Sequence, residues 1–264
     1  MTPATVTTAT FDGTDVSEEF GRHFDVVIAR GGSLLDAAFR LRYQVYCVEN
    51  PFENAAEHPD GREIDCEDDR SVHSIIRHRR TGAVAGTVRL ILPDADPVSR
   101  PLPMQRLLDA ASRSRVAPLP SATTAEISRF AVSKQFRRRR GEERYADVGI
   151  IDQQTELEHE RRLMPYLTYG LLRAAMRMGT EHGITHACAV MEPALLRLVR
   201  HLGFEFELLG APVRYHGIRQ PCFGKVSQVI EKVRWKNPDL WRYMTGFEVP
   251  KRAPREGDRS TAAA

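Results

Sequence analysis

The chain has 264 residues, 42% of them hydrophobic, enough for one large domain with a real core. No apolar run approaches the roughly 18 residues of a membrane span, and Cys47, Cys66, Cys188 and Cys222 form no CxxC pair, which excludes a zinc ribbon or a disulfide framework. The net charge of +3 hides a segregation: nine acidic residues oppose Arg62 between Glu49 and Asp69, and six basic residues oppose Glu142 and Glu143 between Lys134 and Arg144.

Residues 1–22 read as a flexible, polar segment. They lack the basic start and apolar core of a secretory signal, so a cytoplasmic protein is expected. One domain is expected over residues 23–250, followed by a flexible charged tail, 251–264. Ser33 is placed to N-cap a helix through about Val48, with Leu34, Leu35, Ala38, Leu41 and Val45 as its apolar stripe. The acidic stretch Asn50 to Asp69 reads as a long loop, a type of segment that often carries function. Val72–His78 and Val84–Leu92 flank Arg79-Arg80-Thr81-Gly82 and predict an antiparallel hairpin. A short helix around Met104 to Ala111 follows.

Next comes Thr124-Ala125-Glu126-Ile127-Ser128-Arg129-Phe130-Ala131-Val132, a strand pattern carrying a carboxylate, a hydroxyl and a guanidinium. Ionised groups leave water at a cost of several kcal/mol (roughly) unless paired, so Glu126 and Arg129 are expected to face each other, a ligand or a wet cavity. The basic turn Lys134 to Gly141 then hands over to helix-like periodicity from Asp152 to Met178, with Leu167, Leu171, Ala174, Ala175 and Met178 inward. Ile184–Val190 reads as a strand. Pro193 opens a helix with Leu195, Leu198, Val199 and Leu202 inward, closed at Gly203. Phe204–Leu209 and Pro221–Val229 read as further strands. The order helix, hairpin, strand, helix, strand, helix, strand suits an α/β (α+β) fold, one mixed sheet covered by helices. The basic run lacks zinc-finger spacing, an RNP-like strand or a basic zipper, so nucleic acid is not expected as a partner.

Arg42-Tyr43-Gln44-Val45-Tyr46, Glu63-Ile64-Asp65-Cys66-Glu67-Asp68, Gly86-Thr87-Val88-Arg89-Leu90 and Glu126 to Val132 resemble, in this order, the signature blocks of acyl-homoserine-lactone synthases, enzymes of the GNAT-like acyltransferases. Glu57-His58-Pro59-Asp60-Gly61, Ser71-Val72-His73-Ser74, Met191 to Leu196, Tyr215-His216-Gly217 and Gln220-Pro221-Cys222 extend the resemblance. They are similar to the acyltransferases associated with PEP-CTERM/exosortase systems, themselves like N-acyl amino acid synthases. The resemblance implies a GNAT-like, mostly antiparallel sheet flanked by helices, and no metal or tightly bound cofactor. It also implies transfer of a fatty acyl group from an acyl carrier protein or CoA thioester to the amine of an amino acid. Two alternatives stay open: a lactone synthase that uses S-adenosylmethionine, and a catalytically silent module that binds an acyl carrier.

The residues fit this chemistry as follows. Glu126 takes or relays the amine proton if burial raises its pKa, or else it is a structural ion pair with Arg129 or Arg89. In a regular strand Glu126 and Ser128 share a face and Arg129 does not, so all three serve one pocket only if a bulge re-aims the chain. The resemblance implies that backbone N–H groups near Phe130 and Val132 then bind the donor arm and the oxyanion. Arg89 is read as a two-pronged contact for the acceptor's carboxylate and Arg42 as a brace for the acidic loop. Asp65 and Asp68 hold the acceptor ammonium or cap the loop, and Tyr46 walls the pocket. The loop Gln135 to Gly141 has one glycine where many GNAT enzymes cradle a pyrophosphate. Arg137, Arg138, Arg139 and Arg140 are therefore read as gripping one phosphopantetheine phosphate or an acidic carrier protein. His73 reads as a satisfied structural histidine, and Tyr215 and His216 stand after a helix-strand unit where related folds often offer a leaving-group acid.

Overall fold

A computed structural model describes residues 16–136 and 164–246. The described residues open with α1 (Val16–His23) and β1 (Phe24–Ala29), then α2 (Gly32–Tyr43), which passes directly into a π-helical turn, Gln44–Glu49. The acidic loop contains two single turns, Ala55–Glu57 and Asp68–Arg70. It leads into the hairpin β2 (Ser71–His78) and β3 (Val84–Ile91), with Gly82 in its turn at φ 71°. Helices α3 (Pro103–Leu107) and α4 (Ala110–Val116) precede β4 (Thr124–Val132). The second half runs α5 (Met164–Glu181), β5 (His186–Met191), α6 (Pro193–His201), β6 (Glu207–Leu208), β7 (Val213–Arg214), β8 (Ile218–Lys225), α7 (Val226–Lys236) and α8 (Pro238–Thr245).

The sheet order is β1-β2-β3-β4-β5-β8-β6, with β7 on β8. Every pairing is antiparallel except β4 with β5. That parallel seam is short, running from Thr124 opposite His186 to Ile127 opposite Ala189. Beyond it β4 continues to Val132 and β5 to Met191 without pairing to each other. The larger core lies on one face, where Ala125, Val88 and Leu90 meet Leu167, Leu171 and Met178 of α5. Ile91, Cys188 and Phe223 face the other side, against Met104 and Leu108. The face of α5 read from its periodicity is thus the buried one. A Cβ on Gly170 would lie 2.7 Å from Phe20 and 2.8 Å from Ile76, so the absent side chain lets α5 sit down on α1 and β2.

Several expectations are corrected. Part of the 1–22 segment expected to be flexible is helix α1, whose Phe20 is in the core, and β1 follows directly, its Phe24 and Ala29 buried at either end. Helix α2 starts at Gly32 with Gly31 at the cap position, so Ser33 lies inside it. In α6 Leu196 is buried and Leu198 exposed, because Leu196, three residues before Val199, shares its face. The last strand ends at Lys225, and Val226–Val229, expected to extend it, begins α7. Of Phe204–Leu209, Glu207 and Leu208 are strand, and the Leu209 N–H donates to the Pro221 carbonyl beside them (2.9 Å).

Candidate active site

Opposite Val88 of β3, strand β4 supplies two residues, Arg129 and Phe130: the register steps from Thr87–Ala131 to Arg89–Ser128. This is the bulge that the mixed polarity of the strand requires, and Arg129 sits in it at φ 49°, a conformation costly for a residue with a Cβ. The distortion turns Arg129 into the cleft that Glu126 and Ser128 also line, where β4 and β5 part. The cleft is about 770 Å³. One half is polar, with Tyr46, Glu53, Asp65, Arg89 and Glu126. The other is apolar, with Leu172, Ala175, Leu195, Val199 and Phe206, and Phe130 and Val132 lie along the parted edge of β4.

Glu126 is 3% exposed, and its Oε2 accepts a 2.8 Å hydrogen bond from the backbone N–H of Met104 at the start of α3. Neither Arg129 nor Arg89 pairs with it. Burial pushes its pKa up to about 7, against the smaller opposing pull of the Met104 N–H and the Arg89 charge. A carboxyl group titrating near neutrality, inside a cleft, is suited to accept and return a proton.

The charged residues around it form one lattice. Arg42, 0% exposed, donates from Nε to Glu63 (2.5 Å) and from Nη1 to Asp68 (2.7 Å). Arg89 donates from Nε to the Ser128 hydroxyl (2.9 Å) and from Nη1 to Asp65 (2.6 Å) and Asp68 (2.7 Å). Arg129 donates from Nη2 to Glu63 (2.7 Å), Asp65 (3.0 Å) and Glu53 (3.1 Å), and its guanidinium lies 5.4 Å from the Tyr46 ring centre. Burial raises the Glu63 carboxyl, but Arg129 and Arg42 outweigh it and hold its pKa at about 2. Asp65 and Asp68 likewise lie below the ordinary range: their burial is overcome by Arg89 for Asp65 and Arg42 for Asp68. Four carboxylates (Glu53, Glu63, Asp65, Asp68) thus meet three guanidiniums (Arg42, Arg89, Arg129), an excess of one negative charge.

The residues named from sequence therefore divide. Glu126, Ser128, Arg129, Tyr46, Asp65, Arg89, Phe130 and Val132 line the cleft, whereas Arg42 and Asp68 stand behind it as braces and are not among its lining residues. Arg89 is no isolated cation, since two aspartates and a serine already hold it. Arg137, Arg138, Arg139, Arg140 and Gly141 lie outside the described residues. His73, expected to be satisfied, is buried with no hydrogen bond at either ring nitrogen, its Nε2 3.5 Å from Asp68. Burial and the Arg42 charge push its pKa down to about 4, so it stands neutral. Tyr215 and His216 both line the cleft, and His216 Nδ1 lies 3.0 Å from the Phe52 carbonyl. The sequence reading missed Glu53 and Glu63 as partners of Arg129. Glu63 was visible in the block that opens at residue 63, but the Met104 donor is a backbone group that no side-chain pattern announces.

Residues 41–146 match the acetyltransferase (GNAT) domain model. No curated protein matches the chain. Among solved structures, TofI in a ternary complex with an inhibitor and MTA is 22% identical, with 82% of this chain and 98% of that one covered at a TM-score of 0.54. BjaI, a CoA-dependent acyl-homoserine lactone synthase with SAM and isopentyl-CoA, is 20% identical over 83% and 89% of the two chains, with a TM-score of 0.52. FeeM, an N-acyl amino acid synthase from uncultured soil microbes, is 15% identical over 81% and 96%, with a TM-score of 0.50. Identities this low speak to the fold, and the activity class comes from the domain match. With that domain over residues 41–146 and this fold around it, the chain is an acyltransferase of GNAT architecture.

Proposed function

We propose that the protein is an N-acyltransferase that moves a fatty acyl group from a carrier thioester to the amine of an amino acid. The observation that carries this reading is Glu126, a buried carboxyl titrating near neutrality in a cleft lined by both apolar and acidic side chains. The acyl chain occupies the apolar half and the thioester carbonyl the gap between β4 and β5. The acceptor's ammonium lies toward Asp65 and Glu53, and its carboxylate toward the Arg89 and Arg129 guanidiniums. The excess negative charge of the lattice favours the cationic end of such an acceptor.

In the reaction the acceptor ammonium first releases one proton to solvent, its neutral nitrogen attacks the thioester carbonyl, and Glu126 takes the second proton from the attacking nitrogen. The C–N bond forms, the C–S bond breaks, and the departing sulfur takes up the proton held by Glu126, directly or through the Tyr215 hydroxyl. Thioester and amine become amide and thiol. Backbone N–H groups along the parted edge near Phe130 and Val132 serve as oxyanion donors.

The decisive experiment offers acyl-carrier and acyl-CoA thioesters to the purified protein with a mixture of amino acids, or with S-adenosylmethionine, and reads products by mass spectrometry. N-acyl amino acids support the reading, acyl-homoserine lactone replaces it with the lactone synthase, and absence of turnover leaves an acyl-carrier-binding module. Asp65→Asn is expected to raise the acceptor KM roughly 10- to 100-fold with little change in the thioester's apparent affinity, the scale of one charge-assisted contact.

For the donor we propose an acyl carrier protein docked by Arg137 to Arg140. Alanine at these positions is expected to raise the KM for the carrier-bound donor and flatten its salt dependence, because rim charges act mainly on association. Equal use of free acyl-CoA with the same salt response would overturn the carrier assignment. A place beside a PEP-CTERM/exosortase system rests on the sequence blocks alone.

A further inference from the structure

We infer that Phe206 is the floor of the apolar half of the cleft and sets the acyl length, and that Gly224 is the recess its ring lies over. The inference rests on the acyl-transfer reading above. The β5 residues that line the cleft begin at Ala189, which pairs with Cys222 of β8. Gly224 lies two residues further along β8, opposite Ala187, which does not line the cleft. A Cβ on Gly224 would stand 3.2 Å from Cδ1 of Phe206 and 2.8 Å from Cγ2 of Val229. The ring of Phe206 therefore lies one same-face step deeper than the last cleft residue on β5, where the lumen ends.

Backbone freedom does not explain the glycine, because Gly224 has no positive φ. What the position lacks is a side chain, and the space is taken by Phe206 on one side and the core residue Val229 on the other. A methyl group there meets a core side chain in one direction and the half-buried Phe206 in the other. Val229 is the tighter contact at 2.8 Å, and Phe206, the one of the two that borders open volume, yields by a few tenths of an ångström toward the lumen.

A growing acyl chain gains roughly 4- to 10-fold in kcat/KM for each methylene it buries, until it meets a wall. Phe206→Ala moves that wall back, while Phe206→Trp and Gly224→Ala move it forward.

The test is a competition among straight-chain thioesters from butyryl to stearoyl, on CoA and on carrier protein, with mixed amino acids and S-adenosylmethionine as acceptors. Product lengths are read by mass spectrometry, and folding is checked by thermal melting. Phe206→Ala is expected to shift the preferred chain longer by about two carbons or more, and Phe206→Trp to shift it shorter. Gly224→Ala should shift it shorter by less than the tryptophan does, and the Gly224→Ala, Phe206→Ala pair should behave as Phe206→Ala alone. An unchanged preference in folded Phe206→Ala and Phe206→Trp overturns the inference while acyl transfer stands. If wild type acylates no acceptor with any thioester, the reading beneath it fails instead. Should Gly224→Ala not fold, the two Phe206 variants decide.

Discussion

Replacing Glu126 by glutamine is expected to lower kcat/KM about 100-fold or more while leaving the protein at least as stable as wild type. Wild-type kcat/KM should rise with pH through about 7 as the carboxyl ionises, and the variant should lose that limb. Stability should move the other way. The folded carboxyl holds its proton to about 7, whereas in the unfolded chain it releases it near 4.5. Between those values the unfolded state binds fewer protons, so wild-type stability falls as pH rises and stays lower above about 7. Glutamine cannot ionise and still accepts the Met104 N–H, so the two proteins should melt together in acid and the variant should melt higher in base. Unchanged turnover in the folded variant would remove Glu126 from the mechanism, and a lower melting temperature at alkaline pH would show that it is not buried as described.

The second large effect concerns Arg42. Arg42→Met is expected to destabilise the fold by about 3 to 5 kcal/mol, because it strands the buried Glu63 and Asp68 carboxylates with fewer partners. Adding Glu63→Gln and Asp68→Asn should return part of that loss, since uncharged groups no longer need the guanidinium. The depressed pKa values of Glu63, Asp65 and Asp68 contribute stability above the ordinary carboxylate range, about pH 4, which is lost as pH falls through their folded values. Arg42→Met should weaken that acid dependence as well as the neutral stability. Urea melts of the single and triple variants across the acid range measure both effects, and a single variant as stable as wild type would mean that the lattice adds nothing to folding.

Much of this site was legible because charge inside an apolar pattern is expensive. Glu126, Arg129, Arg42 and Arg89 stood out for that reason, and the same polarity pattern in β4 required the bulge that Arg129 occupies. What the sequence withheld was pairing. Arg89 looked like a free cation because its partners, Asp65 and Asp68, lie more than twenty residues away on a loop without periodicity. In the fold the local signals served well where one face is buried, as in α5 and the β2–β3 hairpin. They failed where burial does not alternate along the strand or context takes over. β1 is buried at its ends and only partly covered between them, so it shows no clean alternation. β8 carries Pro221 and Gly224, and the apolar residues that follow it pack as helix α7.

The parallel seam between β4 and β5 has a consequence for how the chain acquires its activity. The strands β1 to β4 pair in sequence order as an antiparallel meander, whereas β5 reaches β4 only after a long crossover that includes α5. Contacts across so long a loop are entropically costly and form late. Until residues 186–191 leave the ribosome and dock, β4 offers a bare edge bearing Glu126 and the bulge, a template for mispairing with other chains. The folding step that covers this edge is the same step that brings the two walls of the cleft together. A nascent or truncated chain ending before β5 would therefore be aggregation-prone and inactive for one and the same reason.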